Sequence, residues 1–381
     1  EPRRDPASTP RGAGFRMITP IHRRMKISTN RRRGQAGHCV SFVGFGRAVA
    51  VLAALCAVFG CGDPDSQSIV PNLPSEPAAP APSLALSYEP HPVGFPVESR
   101  PWIPDLQIHD LDKDGLLDIL VCDGVTDKIS WIRQSPVNSF EEIVLASEVR
   151  GPAHIEPCDI DLDGDDDLLI AGMGMIRPTN DKIGSVIVLE NRGDQTFERH
   201  DLITGVARVT DVRGADFDAD GDIDLVVGQF GYFDGEIRWM ENLGDWNFES
   251  HILLPLSGTV HTPVADLDAD GDIDFVALVT QEWEEVHLFE NDGSGNFRNQ
   301  ILWGSTNEDY GSSGIRLQDL DRDGDLDILY TNGDGFDYAK PGPRPWHGIQ
   351  WIENRGRGFF RFQRISDFPG AYSPVAADLN G

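Results

Sequence analysis

The residues best suited to chemistry in this sequence are aspartates that alternate along short loops. In one such loop, carboxylates stand at Asp266, Asp268 and Asp270, and Gly271 precedes a fourth carboxylate at Asp274. Glycine permits a sharp turn with positive φ, so this spacing can gather the carboxylates around one point. Oxygen-only ligands favour a hard cation, and Ca²⁺, which takes about six to eight oxygens, fits best.

The same pattern occurs five times at a nearly regular interval. Successive copies begin 49, 57, 50 and 53 residues apart, and a further start at Asp378 follows after 59. One acidic stretch is typical of a solvated turn, but five copies favour a cation in each. The predicted metal ligands are Asp110, Asp112, Asp114, Asp118, Asp159, Asp161, Asp163, Asp167, Asp216, Asp218, Asp220, Asp224, Asp266, Asp268, Asp270, Asp274, Asp319, Asp321, Asp323 and Asp327. Such a period indicates an array or propeller of repeated units.

An EF-hand is the obvious alternative, and its chemistry does not fit. An EF-hand loop needs a bidentate Glu at its twelfth position. The five copies carry apolar residues there instead: Val121, Ile170, Val227, Ala277 and Tyr330. These residues belong to alternating apolar runs, so each loop is predicted to join two strands and not two helices.

The second half of each repeat also recurs. An Asn-x-Gly triplet such as Asn242 to Gly244 lies between alternating apolar runs, which predicts a hairpin turn. The copies span residues 186–193, 237–244, 286–293 and 349–356, whereas the first repeat has Arg133-Gln134-Ser135-Pro136. Each repeat therefore predicts four antiparallel strands in about 50 residues, which is one blade of an all-β propeller.

On these motifs the sequence resembles the FG-GAP/VCBS repeat family, whose relatives include the propellers of integrin α-subunits. The resemblance covers about residues 88–381. It implies a seven-bladed β-propeller with Ca²⁺ between the first two strands of a blade. Five complete four-stranded blades are expected here, with the propeller truncated at its C-terminus. Asp166 departs from the pattern, because the other loops place Leu or Ile there.

The N-terminal part differs sharply in composition. Residues 1–60 hold eleven Lys or Arg and two acids, a net charge of +9, so the remainder carries −39. That acidity disfavours nucleic acid as a partner. We interpret residues 1–24 as an extension, residues 25–60 as a signal peptide and residues 61–87 as a Pro-rich tether.

The end of the signal segment resembles a bacterial lipobox, in which Gly60 precedes Cys61. Cys61 is therefore the predicted lipidation site. The chain would then be exported and held by a lipid anchor on a bacterial membrane, at the cell surface or the periplasmic face. An ordinary cleaved secretory signal is the alternative, and it also places the chain outside the cytoplasm.

Candidate ligand-binding residues lie in the variable loops, where a rigid scaffold usually presents chemistry. The longest loop spans residues 332–348 and contains Tyr338, Trp346 and His347. We expect a protein or glycan partner at this face, and no residue is assigned as catalytic. The alternative is a carbohydrate-active enzyme, a lyase or hydrolase, that uses variable-loop residues or a C-terminal domain beyond this sequence. A scaffold for such a domain is a third possibility.

Two further expectations concern the segment before the first loop and the cysteines. Tyr88-Glu89-Pro90-His91 is similar to the last strands of later repeats. Residues 88–93 are therefore predicted to complete a final blade beyond Gly381, which would close the ring. Cys122 and Cys158 lie beside neighbouring loops and would form either a disulfide or two buried thiols.

Overall fold

Strands joined by turns make up the repeat region in a computed structural model of the protein. The structure describes residues 91–96, 100–175, 177, 179–231, 233–335 and 340–378. The features predicted for residues 1–87, including Cys61, lie outside this part. Among the described residues, none forms a helix with the length and apolar character needed to cross a membrane.

The strands form five antiparallel sheets, here called blades 1 to 5 in chain order. Blade 1 contains β1 (Leu106–His109), β2 (Asp118–Asp123), β3 (Lys128–Gln134) and β4 (Phe140–Ser147). Blade 2 contains β5 (Pro152–Cys158), β6 (Asp167–Gly172), β7 (Gly184–Asn191) and β8 (Phe197–Val206). Blade 3 contains β9 (Arg208–Ala215), β10 (Asp224–Phe230), β11 (Ile237–Asn242) and β12 (Phe248–Leu254). Within each of these blades, strands adjacent in sequence are hydrogen-bonded neighbours.

The last two blades repeat this order, with one interruption. Blade 4 contains β13 (Thr259–His261), β14 (Val264–Ala265), β15 (Asp274–Val279), β16 (Glu285–Asn291) and β17 (Phe297–Gly304). Both β13 and β14 pair with β15, so they are two halves of one first strand. The break includes Pro263, which has no N–H to donate to a ladder. Blade 5 contains β18 (Ser312–Gln318), β19 (Asp327–Asn332), β20 (Gly348–Asn354) and β21 (Phe360–Asp367).

In blades 2 to 5 every residue of the second strand is buried, and in blades 2 to 4 both of its faces pack against neighbouring blades. In β6, Leu168 and Ile170 belong to the apolar core shared with blade 1. The intervening residues Leu169 and Ala171 belong to the core shared with blade 3. The period-two alternation therefore supplies two apolar faces, and the blades pack face to face.

The first strands of successive blades lie next to one another. Thr210 in β9 donates from Oγ1 to the carbonyl of Thr259 in β13, at 2.7 Å. The last strands are largely exposed edges, as in β21. A repeated inner strand and an exposed outer strand are the arrangement expected for propeller blades. The fold predicted from the sequence, five four-stranded antiparallel blades, is confirmed.

The N-terminal end of the described region lies against blade 1. Residues 91–93 belong to no strand, and the Phe95 N–H donates to Glu142 Oε2 of β4 at 2.5 Å. The pairing of residues 88–93 with a blade beyond Gly381 stays a prediction. Cys122 and Cys158 are free thiols, and burial raises the pKa of Cys158 to about 12.

Candidate metal centres

Each aspartate-rich loop joins the first and second strands of its blade, as the sequence predicted. The glycine at the sixth position adopts positive φ in every copy, between 88° and 101°. The fourth position is also left-handed although no copy has glycine there. Its occupants are Lys113, Leu162, Ala219, Ala269 and Arg322, with φ between 56° and 64°. Two left-handed residues in one loop bend the chain tightly around the carboxylates.

Hydrogen bonds within the loop fix the first aspartate. One of its carboxylate oxygens accepts from the N–H of the sixth-position glycine, at 2.8–3.1 Å in all five copies. The aspartate at loop position five accepts a hydrogen bond from the N–H of position seven, as Asp270 does from Asp272 at 3.0 Å. These bonds use backbone donors, so the carboxylates are positioned before any ligand arrives.

The loops bring three carboxylates together in each blade. In blades 1, 2, 4 and 5, carboxylate oxygens of the aspartates at loop positions one, three and nine lie within 4.8 Å of one another. In blade 3 the group is formed by the aspartates at positions one, three and five. Each group could hold a metal ion, and its members are Asp110, Asp112 and Asp118; Asp159, Asp161 and Asp167; Asp216, Asp218 and Asp220; Asp266, Asp268 and Asp274; and Asp319, Asp321 and Asp327. The remaining predicted ligands, Asp114, Asp163, Asp224, Asp270 and Asp323, lie outside these tight groups.

The aspartate at loop position nine is buried, and each of its two carboxylate oxygens accepts a backbone hydrogen bond. Its Oδ2 accepts from the N–H of the second loop residue, at 2.9–3.3 Å across the five blades. Its Oδ1 accepts from the N–H at the end of the third strand, at 2.7–2.8 Å. Burial raises the pKa of Asp167, Asp224 and Asp274 to about 6, although the backbone donors oppose the shift.

The asparagine at the end of the third strand has a second role, beyond the hairpin turn that the sequence predicted. In blade 4, the Asn291 side chain donates from Nδ2 to the Phe217 carbonyl at 2.7 Å and to the Ile273 carbonyl at 3.1 Å. Phe217 belongs to the loop of blade 3. Asn354 makes the equivalent bond to the Leu267 carbonyl of blade 4, at 2.8 Å. The hairpin asparagine therefore ties one blade to the loop of the preceding blade.

A second cluster of charges lies where the first strands of blades 1 to 3 meet. His154 is 5 % exposed, and its Nδ1 lies 2.8 Å from Asp105 Oδ2. Its Nε2 lies 3.2 Å from Asp211 Oδ1, on the neighbouring inner strand. Arg213 donates to Glu156 Oε2 at 2.6 Å. His154 lies in β5 and Arg213 in β9, and the spacing of the repeats carries no information on these cross-blade pairs.

These ion pairs shift the pKa values of His154 and Asp211. Burial and the charge of Arg213 lower the pKa of His154, but Asp211, Asp105 and Glu156 together raise it to about 9. Burial acts to raise the pKa of Asp211, whereas Arg213 and His154 lower it to about 2. The imidazole and the carboxylates are therefore charged together near neutral pH, as a buried network.

Of the candidate ligand-binding residues, Tyr338 lies outside the described part of the chain. Trp346 is half-buried, and its Nε1 donates to the Asp309 carbonyl at 2.8 Å. His347 is fully buried, and its Nδ1 accepts from the Arg344 N–H at 3.3 Å. Trp346 is therefore tied to the connection between β17 and β18, and His347 to the loop that carries it. Their role in ligand binding stays a prediction.

Three segments of the chain match a known kind of repeat. The FG-GAP-like repeat matches residues 110–170, 216–277 and 266–330. Each match begins at the first aspartate of one loop and includes the second strand of a blade. The chain contains FG-GAP-like repeats. The family resemblance inferred from the aspartate spacing is confirmed.

Solved structures and curated proteins provide two further comparisons. One similar solved structure is that of the Dos1 propeller, which shares 11 % sequence identity over 70 % of each chain, with a TM-score of 0.44. No curated protein matches the sequence significantly.

Proposed function

We propose that this chain is a Ca²⁺-stabilised propeller module that binds a partner. The observation behind the metal is a set of buried carboxylate oxygens that lack a hydrogen bond. Oδ1 of Asp159 and Oδ1 of Asp216 are buried and have no hydrogen-bond partner, and each belongs to one of the three-carboxylate groups. Both oxygens of Asp112 in blade 1 also lack a hydrogen bond, but there the Arg133 guanidinium lies 2.5 Å from Oδ2. An unpaired buried carboxylate oxygen is costly, and a hard divalent cation offsets that cost directly.

The residues present fit Ca²⁺ because all the side-chain donors are oxygens and the loops are shaped by backbone bonds alone. In blades 2, 4 and 5, the aspartates at loop positions one and three would hold the ion from the loop, and the one at position nine would do so from the start of the second strand. In blade 3, the aspartates at positions one, three and five would hold it. Bound Ca²⁺ supplies positive charge at the point where the first and second strands separate. The loop then stays closed against the repulsion of its own carboxylates.

Thermal melting of the full chain with Ca²⁺ and with a chelator tests the metal role. At one hundred times Kd, one independent site contributes about 2.7 kcal/mol to the free energy of unfolding. Asp268→Asn should lose one such share, whereas Asp201→Asn, on the outer strand β8, should not. Identical melting with Ca²⁺ and with chelator would remove the basis for the proposal.

The partner-binding face is proposed to lie opposite the metal loops. The strands are antiparallel, so the loop between the second and third strands lies at the other end of the blade from the metal loop. On that face a groove between blades 2 and 3 is lined by Lys182, Glu236, Arg238 and Phe233. The Phe233 side chain is 80 % exposed. An exposed aromatic beside charged groups suits a peptide or a sugar ring.

Two aromatic substitutions separate the faces. Phe233→Ala should weaken binding to a partner recovered from a glycan array or a protein screen. Phe359→Ala removes a similarly exposed side chain from the hairpin turn of blade 5, on the metal face. Equal loss from both changes would argue against the loop face. A bound glycan that is recovered uncleaved would distinguish this module from the alternative of a carbohydrate lyase or hydrolase.

Export and lipid anchoring are a separate part of the proposal. Their support is the basic segment, the 13-residue apolar run from Ala48 to Gly60, and the cysteine that follows it. Mass spectrometry of the mature N-terminus should find acylated Cys61. A mature chain that begins at another residue without a lipid would contradict the anchor.

A further inference from the structure

Blade 1 differs from the other four blades in the second-last residue of its third strand, next to the metal loop. The N–H that donates to the ninth aspartate belongs to Gln134 in blade 1 and to Asn191 in blade 2, both at 2.7 Å. This shared bond makes the residues just before them, Arg133 and Glu190, structurally equivalent. Blades 3, 4 and 5 also have glutamate at this position: Glu241, Glu290 and Glu353.

Arg133 reaches into the carboxylate group of its own blade. Its Nη2 lies 2.5 Å from Asp112 Oδ2, and the Asp112 side chain is 4 % exposed. The guanidinium also lies 5.5 Å from the ring centre of Trp131 and donates to Gln195 Oε1 at 3.4 Å. Asp112 is one of the three carboxylates that define the blade 1 metal group. A fixed positive charge therefore stands beside that group.

Among the described residues of the other four loops, no arginine or lysine pairs with a member of the three-carboxylate group. Lys113 lies 3.6 Å from Asp166 of the blade 2 loop, but Asp166 is not a member of that group. The ion pairs of the equivalent glutamates lead away from the loop, as in Glu241 with His251 at 3.0 Å and Glu290 with Arg298 at 2.6 Å. Arg322 lies within the loop of blade 5, but it pairs with Asp378 and not with a carboxylate of that loop. No ion pair joins an arginine or lysine to the third aspartate of blades 2 to 5 within the part of the chain that the structure describes: Asp161, Asp218, Asp268 and Asp321.

We propose that the Arg133 guanidinium is the resident cation of blade 1, so the chain takes Ca²⁺ in blades 2 to 5 only. This inference rests on the proposed Ca²⁺ role of the other loops. A guanidinium stays protonated at any working pH, so at 2.5 Å it places a permanent positive charge against the Asp112 carboxylate. An incoming Ca²⁺ would meet a like charge in a water-poor cleft and would have to break the pair. We expect binding at blade 1 to be weaker than at blade 4 by at least about a hundredfold.

Counting bound Ca²⁺ on the full chain after equilibrium dialysis tests this assignment. The expected count is four for the natural sequence and five for Arg133→Glu, which copies the residue of the other blades. Arg133→Gln removes the charge without adding a carboxylate, and it should also raise the count to five, with weaker affinity for the added ion. Asp268→Asn should give three, which shows that the count resolves a single site.

A matched control excludes a general effect of charge. Arg199→Glu reverses a charge on the outer strand β8, where Arg199 pairs with Asp201, and the count should stay at four. Five ions on the natural sequence would overturn the proposal and leave the Ca²⁺ role standing. An unchanged count in both Arg133 variants would also overturn it. No bound Ca²⁺ on any variant would refute the Ca²⁺ role itself and this inference with it.

Discussion

The ninth aspartate of each loop organises the hydrogen bonds of its blade as well as being a predicted ligand. Asp274 accepts from the Leu267 N–H at 2.9 Å and from the Asn291 N–H at 2.8 Å, and it is 1 % exposed. Asp268, by contrast, is exposed and accepts one backbone bond, from the Asp270 N–H at 3.2 Å, which an amide could also accept. The two residues therefore separate the structural role of a carboxylate from its metal role.

Asp274→Asn should destabilise the protein even in chelator. An amide has one acceptor oxygen, so its NH₂ group would face a buried backbone donor, at a cost of about 2–3 kcal/mol. Asp268→Asn should lower stability only when Ca²⁺ is present. Chemical denaturation of both variants, with and without chelator, measures the difference. Equal behaviour of the two variants in chelator would contradict a structural role for Asp274.

His154 provides a pH-dependent contribution to stability. Its pKa is raised to about 9 in the folded state, against about 6.5 in an unfolded chain. A raised pKa stabilises the fold fully below about pH 6.5, and the contribution is lost as the pH rises through 9. The shift corresponds to roughly 3 kcal/mol. The groups that face the imidazole are Asp105, Glu156, Asp211, Arg213 and His261.

We therefore expect the unfolding free energy to fall between pH 6.5 and 9 at saturating Ca²⁺. His154→Asn should be less stable below this range and should show a flatter profile across it. His91→Asn changes an exposed histidine and should keep the natural profile. A profile that falls equally in the His154 variant would assign the pH dependence to other groups.

At the scale of elements, the hairpin asparagine is the clearest link between blades. Asn291→Ala would leave the Ile273 carbonyl without this donor and the Phe217 carbonyl with the Gly295 N–H alone. The expected loss of stability is about 1–3 kcal/mol. Gln134 takes the same place in blade 1, but its Nε2 donates only to Leu117 of its own blade, at an exposed position. Gln134→Ala should cost below about 1 kcal/mol. Similar losses in both variants, measured by urea denaturation, would show that the contact between blades contributes little.

The same elements show how far the sequence could lead. The aspartate spacing and the Asn-x-Gly triplets predicted the loops, the hairpins and their order, because these features depend on neighbours within a few residues. The bond from Asn291 to Phe217 joins residues 74 positions apart, so only the stacking of blades creates it. The left-handed fourth position was also missed, because Lys113, Leu162 and Ala269 share no local signal. The cross-blade pair of His154 and Asp211 depends on stacking in the same way.

At the scale of the whole molecule, charge is the dominant feature. The chain carries −30 overall and −39 after residue 60, and the five nine-residue loops contain 25 aspartates. Hydrogen bonds position these carboxylates, but backbone donors do not remove their mutual repulsion over longer distances. Bound cations do so within each loop, and dissolved salt does so less specifically. The two effects can be separated because salt shortens the Debye length from about 8 Å at physiological strength to about 3 Å at 1 M.

Raising NaCl from 0.15 M to 1 M should therefore stabilise the chelated protein more than the Ca²⁺-loaded protein. We expect the melting temperature to rise by about 5 °C or more in chelator, which corresponds to roughly 2 kcal/mol for a unit of this size, and by less than about 2 °C with Ca²⁺. Salt also strengthens apolar burial, but it does so in both forms, so the Ca²⁺-loaded protein is its own control. Equal shifts in the two forms would mean that repulsion among the loops contributes little. The stabilisation by Ca²⁺ would then come from coordination at individual loops, and it should follow the number of sites removed by substitution.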